Sequence, residues 1–396
     1  MRLCGRYDVR RIVADGGMGR VYEGIDRVTS TRIAIKVLHE EVAKDEVPMA
    51  RFKREYEISK NLSSEHVVKV LDFQRDPEAD AWLLVMEFLD GEELRHLLKR
   101  EKFLAPERVI RMLSHVALGL DDAHSNQLIH RDLKPDNLFL CGSREGELTK
   151  ILDFGSVKDK NQNAAKLTVM GTTIGSPFYM APEQAQGLET LDARADVFAL
   201  GAITYECIVG IVPFSGSNGP SILLSILTED PLPPTMRAKS PKYPIPPAMD
   251  DIMELALAKN PNLRPKTVGA LADAVGHAYG LDGDHRVWAK MPLHELTAKV
   301  IAARPGTLVK AAPLVIQADP FAFPAPDPFT SRSSVPLGEE VHETPSPVFT
   351  EESSDSSLES QGEIELLVPR SRGWLVPALA GGVVVVLVVV GLLVLR

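Results

Sequence analysis

Cysteine is scarce: Cys4, Cys141 and Cys207 are the only three in 396 residues, scattered and odd in number. That excludes a disulfide framework, shows no metal-ligand spacing, and fits reduced thiols in a cytosolic domain. Positive charge is short as well. The 44 Lys and Arg stand against 54 Asp and Glu, a net charge of −10, which argues against nucleic acid as the partner. No apolar stretch of the signal-peptide kind opens the chain, so no secretory signal is expected. Two further absences are local. Between Arg332 and Arg370 there is no lysine or arginine, and from Trp374 to Leu395 no charged residue of either sign.

What is there is a globular composition, 44% hydrophobic and 25% charged, in a chain long enough for one large or two ordinary domains with tails. The uncharged stretch 374–395, nearly pure valine from Val383 to Val390, is long enough to cross a bilayer at about 1.5 Å per residue. Arg370 and Arg372 precede it and Arg396 alone follows, which favours an N-in orientation. Gly381, Gly382 and Gly391 would let two such helices approach closely, so a homodimer is one expectation. Residues 304–373, rich in Pro, Ser and Glu, cannot bury enough apolar surface to order themselves and read as a disordered linker. A short helix over Trp288–Ala303 would form an extension, 281–303.

The chemistry concentrates in His130-Arg131-Asp132-Leu133-Lys134-Pro135-Asp136-Asn137, followed by Asp153-Phe154-Gly155. Carboxylates, an amide, a lysine and an arginine share one short loop and the turn after it, between apolar flanks. Such a site suits a reaction at phosphate. One carboxylate can take a proton from an attacking hydroxyl, while Asn137 and Asp153 offer hard oxygen ligands to Mg²⁺. The stretch resembles the catalytic loop and metal-binding turn of protein kinases, and its Leu-Lys-Pro is the serine/threonine form.

Upstream, Arg6 to Ile25 reads as a hairpin whose turn holds Gly16, Gly17 and Gly19, glycines that let backbone N–H groups approach a phosphate. The kinase pattern expects glycine where Ala14 stands, and the loop departs from it there. Thr31 to Leu38 alternates as a strand, with Ile33, Ile35 and Val37 on one face and Ala34, Lys36 and Leu38 on the other. A lysine on an apolar face needs a partner, because an unpaired buried ammonium is costly. The helix Met49–Leu62 aligns Phe52, Glu55, Ser59 and Leu62 on one side, so Glu55 would point toward Lys36. Val67–Phe73 and Ala81–Phe88 read as further strands, and Glu107–His124 as an amphipathic helix.

The resemblance covers Tyr7 to Tyr279 and implies an α+β, bilobal kinase fold over residues 7–280, with a β-rich N-lobe and a helical C-lobe. It implies ATP and Mg²⁺ as cofactors and proteins with Ser/Thr acceptors as substrates. Asp132 would accept the hydroxyl proton and Lys134 steady the transferring phosphoryl. Lys36, held by Glu55, would contact the inner phosphates, and Asn137 and Asp153 would hold the metal. Val13, Ala14, Gly16, Gly17, Gly19, Val21, Ala34, Met86, Glu87, Leu89, Glu93 and Phe139 would surround the nucleotide. Ser156–Tyr179 resembles an activation segment: Thr172 or Thr173, then Thr168, are candidate phosphorylation sites, Arg131 a cation for the phosphate, and Ser176 a reader of the substrate hydroxyl. Asp196 is placed to bond back to the catalytic loop, and Arg264 to pair with Glu183. Use of cytosolic ATP would put the domain on the cytoplasmic side of the inner membrane. Two other classes stay open: a nucleotide-binding pseudokinase scaffold, and a phosphotransferase for small molecules.

Overall fold

The alternating apolar pattern of the first ninety residues becomes an antiparallel sheet. In the computed structural model the described residues are 1–303, apart from 18, 144–145, 155–176, 189 and 239–240. Strands β1 (Arg2–Leu3), β2 (Tyr7–Asp15), β3 (Gly19–Asp26), β4 (Thr31–Leu38), β5 (Val70–Asp76) and β6 (Ala81–Glu87) are ordered β1-β2-β3-β4-β6-β5. The two-residue period of β4 decides its faces. Ile33 and Ile35 join Leu83 and Val85 in one buried cluster, while Leu38 joins Phe52, Val70 and Leu84 on the other side. Helices α1 (Glu40–Ala43) and α2 (Glu46–Asn61) follow β4. Phe52, Glu55 and Ser59 are buried together on α2, as its helical period requires.

One strand sits differently from the expectation. The run starting at Val67 gives β5 only from Val70, because Val67 bridges Ile151 and the Val68 N–H donates to the Ile151 carbonyl at 3.0 Å. The strand then continues through the polar Gln74-Arg75-Asp76, where pairing with β6 supplies the hydrogen bonds.

The helical half contains α3 (Leu94–Glu101), α4 (Pro106–Ser125), α5 (Pro182–Ala185), α6 (Arg194–Val209), α7 (Gly219–Thr228), α8 (Pro234–Arg237), α9 (Ala248–Ala256) and α10 (Val268–Ala278). A small sheet, β7 (Gly91–Glu93), β8 (Leu138–Ser143) and β9 (Gly146–Ile151), lies beside them. The α4 stripe of Val109, Met112, Leu113, Val116, Ala117 and Leu120 is completely buried. It belongs to the largest buried apolar cluster among the described residues, which also includes Leu133.

Past Gly280 the chain stays folded, as two helices rather than the single one expected: α11 (His285–Lys290) and α12 (Leu293–Ala302). Pro292 separates them, since it has no N–H to continue the ladder. Trp288 of α11 is fully buried and lies against Gly276, where any Cβ would come within 2.1 Å of the indole. Arg111 of α4 donates to the Ala289 carbonyl at 2.7 Å. The extension is thereby part of the helical core. No helix among the described residues is long and apolar enough to cross a membrane. The linker 304–373 and the stretch 374–395 lie outside those residues.

Removing the indole leaves a cavity beside Gly276. Trp288→Ala should therefore lower stability by about 3–5 kcal/mol, read from the denaturant midpoint. An unchanged midpoint would show that α11 and α12 stand outside the cooperative unit.

Candidate active site

The turn between β2 and β3 is narrow. The Gly16 N–H donates to the Gly19 carbonyl at 3.1 Å, and Arg20 ties the turn to Asp15 at 2.6 Å. A Cβ on Gly19 would stand 2.3 Å from the Val37 carbonyl oxygen, so only glycine fits. Gly17 follows in the same turn; Met18 lies outside the described residues. Val13, 46% exposed, and Ala14 sit at the end of β2. Strand register brings Ala14 opposite Val21, Val21 opposite Lys36, and Ala34 opposite Met86. Val21, Ala34 and Met86, expected around a nucleotide, thus lie on neighbouring strands.

Lys36 and Glu55 meet at 3.0 Å, and the Lys36 ammonium lies 3.7 Å from Asp153. The pair joins the sheet, α2 and the Asp153 turn at one point. Burial opposes the charge on Lys36, but Glu55 and then Asp153 outweigh it and hold the ammonium above its ordinary pKa. Burial pushes Glu55 up to about 7, against the pull of Lys36. The carboxylate therefore depends on the cation for its charge.

The catalytic loop is held from below by Asp196 of α6. Its carboxylate accepts from the N–H groups of His130 at 2.8 Å and Arg131 at 2.9 Å, and contacts His124 Nε2 at 2.8 Å. Burial raises the pKa of this acid, but hydrogen bonds, His124 first, outweigh it and keep it below the carboxylate range. Within the loop Lys134 donates to Asp132 Oδ2 at 2.8 Å. Asn137 Nδ2 donates to the Asp132 carbonyl at 2.7 Å. Arg131 and Asp153 both have positive φ, 68° and 56°, a conformation held at a cost of about 1–3 kcal/mol by surrounding bonds. Asn137 and Asp153 fit Mg²⁺ by donor chemistry: a neutral amide oxygen and a carboxylate, both hard.

Opposite, Glu87 closes β6. Its N–H donates to Lys69 O at 2.9 Å and its side chain binds Lys150 at 2.7 Å, so of its backbone groups only the carbonyl could face a base. Leu89 follows in the link to the helical half. Glu93 pairs in register with Phe139, and burial raises its pKa. Gly155, Thr168, Thr172, Thr173 and Ser176 lie outside the described residues.

Sequence reasoning missed two groups near the loop. Arg95 of α3 reaches Asp136 at 3.2 Å, Glu206 at 3.2 Å and the Tyr179 hydroxyl at 2.7 Å. An arginine on an amphipathic helix reads as solvated, and nothing in its spacing marks this contact. Gln184 donates to the Arg131 carbonyl at 2.7 Å. Its neighbour Glu183 takes a bidentate, buried pair from Arg264 at 2.6 and 2.8 Å.

Comparison with known proteins agrees with this geometry. The family described as the protein kinase domain matches residues 7–279. The chain belongs to the protein kinase family. It is 38% identical over 268 residues to the serine/threonine-protein kinase pkn3 of Myxococcus xanthus, covering 67% of this chain and 48% of that protein. It is 35% identical over 278 residues to PknA of Mycobacterium tuberculosis, covering 69% and 61%. The chain thus spans about half to three fifths of these curated relatives. The PknI kinase domain of M. tuberculosis, solved as a double mutant, superposes with a TM-score of 0.55 at 25% identity, over 70% of this chain and 96% of that one.

The Lys36–Glu55 pair gives the kinase site a pH signature. Lys36→Met removes the attraction that lowers the Glu55 pKa, so the carboxyl stays protonated at neutrality. A folded pKa above the unfolded carboxylate value of roughly 4.3 gives stability that is present at low pH and lost as pH rises through the folded value. The melting temperature of the variant should fall from pH 6 to pH 8 more steeply than that of the wild type. Parallel profiles would contradict the burial of a chargeable Glu55.

Proposed function

We propose that this chain is a serine/threonine protein kinase that transfers the γ-phosphoryl group of ATP, with Mg²⁺, to Ser/Thr hydroxyls of proteins. The convergence of Lys36 with Glu55 and Asp153 carries the reading, because it joins the phosphate-binding cation to the metal-binding turn in one place. This intact linkage favours turnover over a pseudokinase scaffold.

When bound, Mg²⁺ neutralises charge on the phosphates; Asn137 and Asp153 would hold it. Lys36, steadied by Glu55, binds the inner phosphates. The glycine turn at Gly16, Gly17 and Gly19, with Val13, Ala14, Val21, Ala34, Met86, Glu87, Leu89, Glu93 and Phe139, encloses the nucleotide. The acceptor oxygen bonds to phosphorus, the bond to the ADP oxygen breaks, and the hydroxyl proton passes to Asp132. Lys134, beside Asp132, offsets the charge on the transferring group. Arg131 is next to Asp132 in the loop and is proposed to receive a phosphate on Thr172, Thr173 or Thr168 once the segment is modified, with Ser176 reading the substrate hydroxyl. Phosphopeptide mapping that finds active enzyme unmodified there would remove this regulation.

Residues 374–395 are proposed as a single membrane helix, with the kinase in the cytoplasm and pairing through Gly381, Gly382 and Gly391. The uncharged run and its arginine flank support that reading. Its test is fractionation of the full chain against one ending at residue 373: both remaining soluble would remove the anchor, and cross-linking that yields only monomer would remove the pairing.

Radiolabelled ATP with a generic protein acceptor tests the activity. Asp132→Asn should lower kcat by about 10²–10⁴-fold with nucleotide affinity kept, and EDTA should abolish transfer. Wild-type protein that labels no acceptor would contradict the function.

A further inference from the structure

Resting on the phosphotransfer reading, we propose that Gln184 is a positioning residue for Asp132, acting through the peptide that joins Arg131 to Asp132. Arg131 is a non-glycine residue at φ 68°, a conformation that persists only when its surroundings over-determine it. Two side chains do so. Asp196 takes its N–H at 2.9 Å, and Gln184 Nε2 donates to its carbonyl oxygen at 2.7 Å. The second bond fixes the plane of the peptide leading into Asp132, and so the direction in which the Asp132 side chain leaves the backbone.

Gln184 is itself held at both ends. Its Oε1 accepts from the Ala181 N–H at 3.1 Å, closing the first turn of α5. The residue before it, Glu183, is locked to Arg264 by the buried bidentate pair. The amide therefore reaches the catalytic loop from a fixed base. It touches neither nucleotide nor acceptor in the assigned roles. Without it, the Arg131 carbonyl loses its donor, the left-handed residue can relax, and Asp132 turns away from Lys134 and Asn137. In the chain two residues separate α5 from Tyr179, the end of the expected activation segment.

The test uses the full chain, ATP and myelin basic protein, at a temperature where circular dichroism shows every variant folded. Gln184→Glu keeps an acceptor for Ala181 but offers no donor to Arg131; Gln184→Leu removes both. For each variant, kcat should fall by about tenfold or more, about 1.4 kcal/mol in the barrier. KM for ATP and the affinity for a fluorescent ADP analogue should stay within about twofold. That split is one that a merely structural glutamine would not produce. If Gln184→Leu does not fold, Gln184→Glu decides alone. Wild-type kcat in Gln184→Glu, or a loss confined to KM, overturns the proposal while leaving the kinase reading intact. Wild-type enzyme that labels nothing overturns both.

Discussion

One buried carboxylate sets the frame for the site. Asp196 sits 1% exposed in α6 and accepts from two consecutive backbone amides, those of His130 and Arg131. An isolated buried charge is costly, but hydrogen bonds to the charged form offset that cost and lower the pKa. The exchange is mutual. The loop gains a fixed partner for amides that would otherwise be orphaned, and the aspartate gains the donors that keep it ionised. Arg131 can then stay left-handed, and Asp132, Lys134 and Asn137 inherit their positions from it. His130 also contacts the Leu152 carbonyl at 3.0 Å and stacks edge-on with Phe154, which extends the same frame to the turn that holds Asp153.

The residues proposed to carry the chemistry come from elements that meet only in the folded state. A strand supplies Lys36, a helix Glu55, a loop Asp132 and Asn137, and a turn Asp153. Each charge is placed next to an opposite one: Lys36 by Glu55 and Asp153, Lys134 by Asp132. Such pre-set dipoles and charges are the main resource in phosphoryl transfer, where little covalent chemistry falls to the protein. The family model spans residues 7–279, and the relatives named as serine/threonine-protein kinases align over 268 and 278 residues.

Much of this is legible in the residues themselves. The alternation of β4 and the helical spacing of Phe52, Glu55 and Ser59 point Lys36 and Glu55 toward each other, and both patterns are local. The loop motif carries its own chemistry in its residue types. What stayed hidden depends on contacts between distant segments. The packing of Trp288 against Gly276, which ties α11 to the helical core, has no signal in the sequence. Arg95 and Gln184 carry no spacing signal, because their partners lie 41 and 53 residues away in sequence. The strand near Val67 was misplaced for the same reason: its first residues pair with Ile151, across the two sheets.

Amide hydrogen exchange on Asp196→Asn tests the central claim most directly. Asparagine keeps one acceptor where aspartate has two and carries no charge, so it cannot hold both loop amides. The account predicts that the His130 and Arg131 amides lose protection while α4 and α6 keep theirs, and that phosphoryl transfer falls with it. Protection at those two amides equal to that of the wild type would contradict the claim that Asp196 holds the catalytic loop in place.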